Sequence, residues 1–489
     1  MTRRRAALWL LLGLASCFSD GPADGVYTCG TPPDECPSGQ HCDLSDHRCH
    51  REPSMPVTDA GMISTDMSQC MTGALDGDES DIDCGGSCPP CEVGKLCHGD
   101  ADCATGTCTD GHCDLATSPP FWRPLPSMTD ERQKPTIVAA DGSIFAIGGA
   151  SRTGNITNLV ESYSIANGAW SPFPKLVLSR SGASGGYLAG KLYAVGGLGQ
   201  ETQLEVYDAP GIKWTVAQAD IGFQINEAGF AGLSDTLLVF GGFSAPTVVT
   251  GDVHRFKPVP GSWTELGKIV PRKSLAGATG IDGLVYALGG NDGTKALDTV
   301  QVYDNGSGLW TSGPPLPQAT DGLAAAAGPD GRIYAIGGAN GGAPISTVVA
   351  YRPGSGRWVP IAPLQNPRRT LGAATGIDGR LYAIGGASAA VGALRDTEAY
   401  GPVVQLMPSP VAVGRMVTVS GSNFASNARV AVYAGASAAG TPIATATTDA
   451  MGVLSPLKLT IAGPAGTQLF TFVDHRSRYP VMSVLTVTP

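Results

Sequence analysis

Beyond Cys113 the chain has no cysteine, although it carries 13 in all. Disulfides, thiolate metal sites and thiol nucleophiles are therefore excluded from the larger, C-terminal part. Histidine is nearly as scarce there: of seven, only His254 and His475 follow Cys113. After the N-terminus no apolar run is long enough to cross a bilayer as a helix. No basic stripe occurs, which removes the electrostatic footprint of nucleic-acid binding. The sequence has no P-loop or HExxH, so the short signatures of those chemistries are missing.

What is present begins with MTRRRAALWLLLGLASC. Three arginines precede an apolar stretch that has the length of a signal-peptide core and is too short to span a membrane. Leu14-Ala15-Ser16-Cys17 resembles the bacterial lipobox. The resemblance implies a leader over 1–17, cleavage before Cys17 and lipidation of its thiol; several acyl chains on one residue anchor firmly. The expected location is the extracytoplasmic cell envelope, at the outer membrane or cell surface.

Residues 18–118 carry 19 acidic against three basic residues, so most of the net charge of −10 belongs to this segment. It also holds the other twelve cysteines, in modules at 29–49 and 70–113. Dense, even cysteines on an exported segment poor in large apolar residues read as disulfides that supply the order a core cannot. Their connectivity is open. The segment is expected to be an acidic, hydrated stalk, and it resembles cysteine-rich modules of bacterial surface proteins. Zinc at Cys88-Pro-Pro-Cys91 and its neighbouring histidines is the less favoured reading in an oxidising compartment. Asp76, Asp78, Asp81 and Asp83 space oxygens as a calcium loop does, but the run lacks the EF-hand glycine and final glutamate; a solvated acidic loop is the default. No cofactor is expected.

A glycine pair recurs at Gly148-Gly149, Gly196-Gly197, Gly241-Gly242, Gly289-Gly290, Gly337-Gly338 and Gly385-Gly386, at steps of 48, 45, 48, 48 and 48 residues. Each pair ends a strand-like run such as IFAIGG or LYAVGG. An aromatic residue then precedes a tryptophan by seven positions at Trp170, Trp214, Trp263, Trp310 and Trp358. This pattern resembles the Kelch repeat over 119–402. It implies an all-β, six-bladed Kelch β-propeller in which the glycine pairs and tryptophans are structural. The sixth repeat lacks its tryptophan, and Trp122 stands before the first. The Trp122 segment is therefore expected to form the outer strand of the last blade and close the ring.

Binding in such a ring falls to loops around the channel mouth. Counting nine residues back from the turn aspartate of each repeat, with Ala189 as its equivalent in the second, reaches Arg132, Arg180, Asn226, Lys273, Asp321 and Arg369. Arg272, Arg368 and Glu227 stand beside them. Four cations and one carboxylate around a mouth suit an acidic partner, such as a carboxylated sugar or an acidic peptide; the plainer reading is a rim of solvated charge.

Galactose-oxidase-like Kelch enzymes need copper ligands and a cysteine that this propeller lacks. Exported sialic-acid mutarotases are also six-bladed Kelch proteins; Glu227 with Arg272 or Arg180 is the pair to consider for that chemistry. Residues 403–489 alternate apolar and polar residues between glycine, asparagine and proline turns, and SGSNF resembles early strands of Ig-like modules, which implies a C-terminal β-sandwich. The expectation is a monomeric, non-enzymatic binding or scaffolding lipoprotein with a protein or glycan partner and no nucleic acid; the alternative is a sugar mutarotase.

Overall fold

The computed structural model describes residues 120–489 except 210, 211, 219, 234, 246, 247, 281, 426, 439 and 476–478, together with short pieces before them at 40–43, 48–51, 81, 82, 84, 91, 95–98, 102, 108, 109, 112 and 113. Cys17, Asp76, Asp78, Asp83 and the CPPC prolines lie outside the described residues. Two compact units divide the chain, 1–65 and 66–489. The first contains a hairpin pairing Gln40–Asp43 with Arg48–Arg51.

In the second unit, Cys84 and Cys91 form a disulfide, and Cys97 and Cys113 each take part in a disulfide of their own. These four cysteines pack as a buried cluster. The carboxylate of Asp81 is taken up by protein donors: it accepts from the amides of Ile82 at 2.7 Å and Leu96 at 2.6 Å and pairs with Lys95 at 3.3 Å. Among the described residues no cluster of acidic, histidine or cysteine side chains could hold a metal.

From Trp122 onward the chain is all β, with no α-helix among the described residues. Six four-stranded antiparallel sheets follow one another. The first runs Thr136–Ala140, Ser143–Ile147, Val160–Ser164 and Ala169–Phe173, stepping outward strand by strand. The innermost strands of the other five are Ser184–Leu188, Gly229–Leu233, Ala276–Thr279, Ala324–Ala327 and Gly372–Thr375. Each lies against the next, and the last lies against the first.

Small residues fill these innermost strands because six of them converge on one axis. A Cβ on Gly277 would stand 2.4 Å from the carbonyl oxygen of Phe230, and one on Gly372 would stand 2.1 Å from Ile137. The second strands are the reverse: in Leu381–Ile384 and Thr236–Phe240 every residue is buried. Such strands are covered on both faces by neighbouring sheets and so read as continuous apolar runs.

The glycine pairs hold the sheets together. The second glycine of each pair donates its amide to a carbonyl at the start of the following sheet: Gly149 to Arg180, Gly197 to Ile225, Gly242 to Arg272, Gly290 to Thr320, Gly338 to Arg368 and Gly386 to Arg132, all at 2.7–3.0 Å. The last of these returns to the first sheet. At Gly148 and Gly196, both with positive φ, a Cβ would come within 2.5 and 2.3 Å of the neighbouring connector's carbonyl oxygen. No side chain fits there, which is why the pair recurs.

The sixth sheet takes its outer strand from upstream. Trp122–Leu125 pairs antiparallel with Thr397–Tyr400, and Trp122 stands opposite Tyr400 with ring centroids 5.6 Å apart. The same aromatic pairing recurs within other sheets, as at Tyr163 and Trp170 at 5.4 Å or Tyr303 and Trp310 at 5.2 Å. After Tyr400 come a three-stranded sheet (Val403–Met407, Met416–Ser422, Leu457–Thr460) and a five-stranded one (Val411–Ala412, Pro480–Thr488, Gly466–Asp474, Arg429–Ala434, Ala444–Thr447). Val417, Val419, Val432, Phe472 and Leu485 fill the space between them.

Candidate functional site

Residues just before each innermost strand arrange themselves in layers along the axis. The hydrogen bonds from the glycine pairs fix the first layer as Arg132, Arg180, Ile225, Arg272, Thr320 and Arg368. All four arginines are fully buried. Three of them point back into their own sheet, where the third strand supplies a counter-charge: Glu161 at 3.2 Å for Arg132, Glu205 at 2.5 Å for Arg180, and Glu398 for Arg368. Those carboxylates also cap connector amides, from Thr129 at 3.1 Å, Val177 at 2.7 Å and Gln365 at 2.9 Å.

Where the arginine is missing, so is the acid. Ile225 and Thr320 head the third and fifth sheets, whose equivalent third-strand positions are His254 and Val349. Arg272 has Gln301 at 3.2 Å and the Thr299 carbonyl at 2.7 Å. Burial holds its pKa down, to about 10, because no carboxylate opposes the desolvation.

Arg132 and Arg180 are therefore not at the mouth, and neither are Arg272 and Arg368. In the first two sheets the turn is two residues, Asp141-Gly142 and Ala189-Gly190, between the pairs Ala140/Ser143 and Leu188/Lys191. In the third, Asp235 is the second turn residue, next to Thr236, which pairs with Leu233. In the last three sheets the strands part earlier, at Thr279/Val285, Ala327/Ile333 and Thr375/Leu381, and the aspartate sits in a longer loop. Counting back from it lands one residue early in the first two sheets, and in an extended segment one residue is a change of face.

The mouth is lined one and two residues further on. Lys134, Gly182, Glu227, Ser274, Gly322 and Thr370 occupy equivalent positions, all with φ between 50° and 66°. Each donates its amide to the carbonyl of the preceding member, and Lys134 donates to Thr370, at distances of 2.6–3.0 Å. This closed collar of six hydrogen bonds holds four non-glycine residues in a backbone region they rarely visit. Above the collar, the Lys134 ammonium reaches from the first sheet to the Glu227 carboxylate of the third, and the Ser274 hydroxyl donates to the other oxygen of Glu227. Burial pushes the Glu227 carboxyl up, but Lys134, Ser274 and Lys273 outweigh it and hold its pKa below the ordinary value.

Three of the residues expected at the mouth do line it, with Gln133 and Asn291, around a cavity of about 250 Å³. Lys273 stands 4.7 Å from the ring centre of Phe243. Asp321 accepts from Asn291 Nδ2 at 2.9 Å, and Arg369 donates to the Gly342 carbonyl at 3.3 Å. Asn226 lies beside the collar, with its Oδ1 3.2 Å from where a Cβ on Gly182 would be. Beneath the collar the channel turns apolar, lined by Ile137, Ala183, Phe230, Leu275, Leu323 and Leu371. Counting back from the glycine pairs meets the same extra turn residue, since Lys134 stands 15 before Gly149 and Ser274 stands 16 before Gly290; only the contacts around the ring put them in one layer.

The Kelch motif matches residues 132–176, 272–317 and 322–365. The chain carries Kelch repeats. It is similar to Kelch-like protein 35 of Mus musculus, 27% identical over 205 residues, 41% of this chain and 34% of that protein. It is also similar to Kelch-like protein terF of Aspergillus terreus, 27% identical over 232 residues, 42% and 50% of the two chains. The Kelch-repeat chain thus spans between a third and half the length of these curated relatives. The solved structure of YjhT superposes with a TM-score of 0.50 at 14% identity, covering 58% of this chain and 97% of that one, a likeness of fold.

Proposed function

We propose that this Kelch-repeat protein is a surface-displayed binding module. In this reading 119–402 is a six-bladed propeller and 403–489 an Ig-like sandwich. Lipid on Cys17 and the acidic cysteine-rich segment hold them outside the cytoplasm on a bacterial envelope, as a monomer. The partner, a protein or a glycan, is recognised on the mouth face. The observation that carries this is the set Lys273, Asp321 and Arg369, displayed on consecutive sheets around the cavity while the chemically similar Arg132, Arg180 and Arg368 are sealed in the wall. With those arginines withdrawn, the mouth carries both signs of charge, which favours a partner that also carries both, such as a protein segment, over a polyanion.

Glycan and peptide arrays probed with the full chain test the reading. A ligand should be bound by the parent and weakened at least about tenfold in a Lys273→Ala/Asp321→Ala/Arg369→Ala variant of unchanged thermal stability. Equal binding by both chains, or no ligand for the parent, defeats it. The mutarotase alternative draws on one feature, the Glu227 carboxylate held charged beside Lys134 and Ser274 at a cavity, where a base and a cation for a sugar carboxylate are both available. Its cation would be Lys134, because Arg272 and Arg180 are inside the wall. NMR anomer exchange of a carboxylated sugar, accelerated by the parent and not by Glu227→Gln, is the outcome that reading requires.

A further inference from the structure

In five of the six sheets the third and fourth strands are neighbours in sequence. In the sixth, Trp122–Leu125 and Thr397–Tyr400 come from opposite ends of the repeat array and are held by non-covalent contacts alone. Four residue pairs make that contact, and one of them contains Pro124, which has no amide to donate. The fifth sheet's outer pair is as short and also holds a proline, but a turn joins its strands; ring closure is the outer pair that no turn joins.

The C-terminal sheets meet the molecule at this joint. Asn423, 2% exposed, follows the strand Met416–Ser422 and reads the backbone of Phe121 from both sides: it accepts from the Phe121 amide at 3.1 Å and donates to the Phe121 carbonyl at 3.0 Å. It also donates to the Gly401 carbonyl at 2.9 Å, so one side chain ties the residue before the closing strand to the residue after its partner. On the inner side, Tyr479 packs edge-on against Tyr400, centroids 5.4 Å apart, and Tyr400 is the residue paired with Trp122. The Tyr479 hydroxyl donates to the Gly379 carbonyl at 2.7 Å, and the Met482 amide donates to the Asp378 carbonyl at 2.9 Å, fixing the hairpin of the same sheet.

We infer that the C-terminal module is a strap that locks the propeller ring shut, with Asn423 as its clasp. The polar contacts named here fall on the residues that flank the closing strand and its partner, or on the hairpin beside them. These contacts leave the mouth face uncovered, because Gly379 and Asp378 lie at the far end of the innermost strand from Thr370 and the collar.

Hydrogen exchange on the full chain tests the strap. Asn423 sits at φ 64°, where an alanine would add backbone strain of its own, so Asn423→Gly is the clean deletion. Amides of Trp122–Leu125 and Thr397–Tyr400 should exchange roughly tenfold faster, while those of Leu204–Asp208 in the second sheet keep the parent rate. Tyr479→Phe, which keeps the ring packing and removes the hydroxyl, should give a smaller acceleration at Thr397–Tyr400. Unchanged rates at the closing strands in both variants, or equal acceleration in all six sheets, would overturn the inference.

Discussion

Arg132 and Lys134 are two residues apart and both cationic, yet one is sealed inside the wall and the other spans the open mouth. The same division runs around the ring, Arg368 within and Arg369 at the rim. What separates the two layers is the acceptor that the fold provides. The buried layer has a carboxylate or amide waiting on the third strand, and the mouth layer has water and the residues of neighbouring sheets. A charge near a channel is thus displayed at the mouth only where the wall gives it no partner. The third and fifth sheets show this from the other side, since losing the arginine goes with losing the acid.

That contrast can be broken most severely at Glu205. Glu205→Ala leaves Arg180 fully buried with no counter-charge, and removing one partner of a buried pair costs about 3–5 kcal/mol. Chemical denaturation should show a drop of that order. A drop under about 1 kcal/mol would mean that Arg180 re-solvates easily, and the wall and the mouth would then not differ as argued. Arg272→Met should cost much less, about 1–2 kcal/mol, because it leaves behind a neutral Gln301 amide in place of a charge.

The smallest effect is a pH dependence at the mouth. The folded-state pKa of Glu227 lies below its ordinary value, so its ionised form stabilises the protein above the unfolded-state pKa, and that stabilisation fades as the pH falls through the lower folded value. Glu227→Gln should therefore flatten the acid limb of the stability curve between about pH 5 and the folded-state value. An acid limb identical to the parent's would show that Lys134 and Ser274 do not hold the carboxylate charged.

Much of the architecture is legible in the chain. The six glycine pairs mark where connector backbones pass too close for a Cβ, a contact that repeats and so leaves a period. The displaced Trp122 marks the closing strand, since each other sheet keeps its tryptophan opposite an aromatic. The site is less legible. A turn that gains a residue does not disturb the pattern of apolar runs, yet it moves the counting origin, which put Arg132 and Arg180 in the same row as Lys273. Glu161, Glu205 and Glu398 carry no motif of their own; they pair with arginines only once a strand 25 to 30 residues away folds beside them.

Sequence alone determined the repeat, its period, the abrupt end of the cysteines and the strand that closes the array, because these depend on local sterics and on which residues fit between stacked sheets. Tertiary structure alone decided which charges are sealed and which are displayed, how six backbone amides close a collar around the axis, and what the last two sheets hold on to. Those depend on distances between segments far apart in the chain, and spacing along a sequence does not contain them.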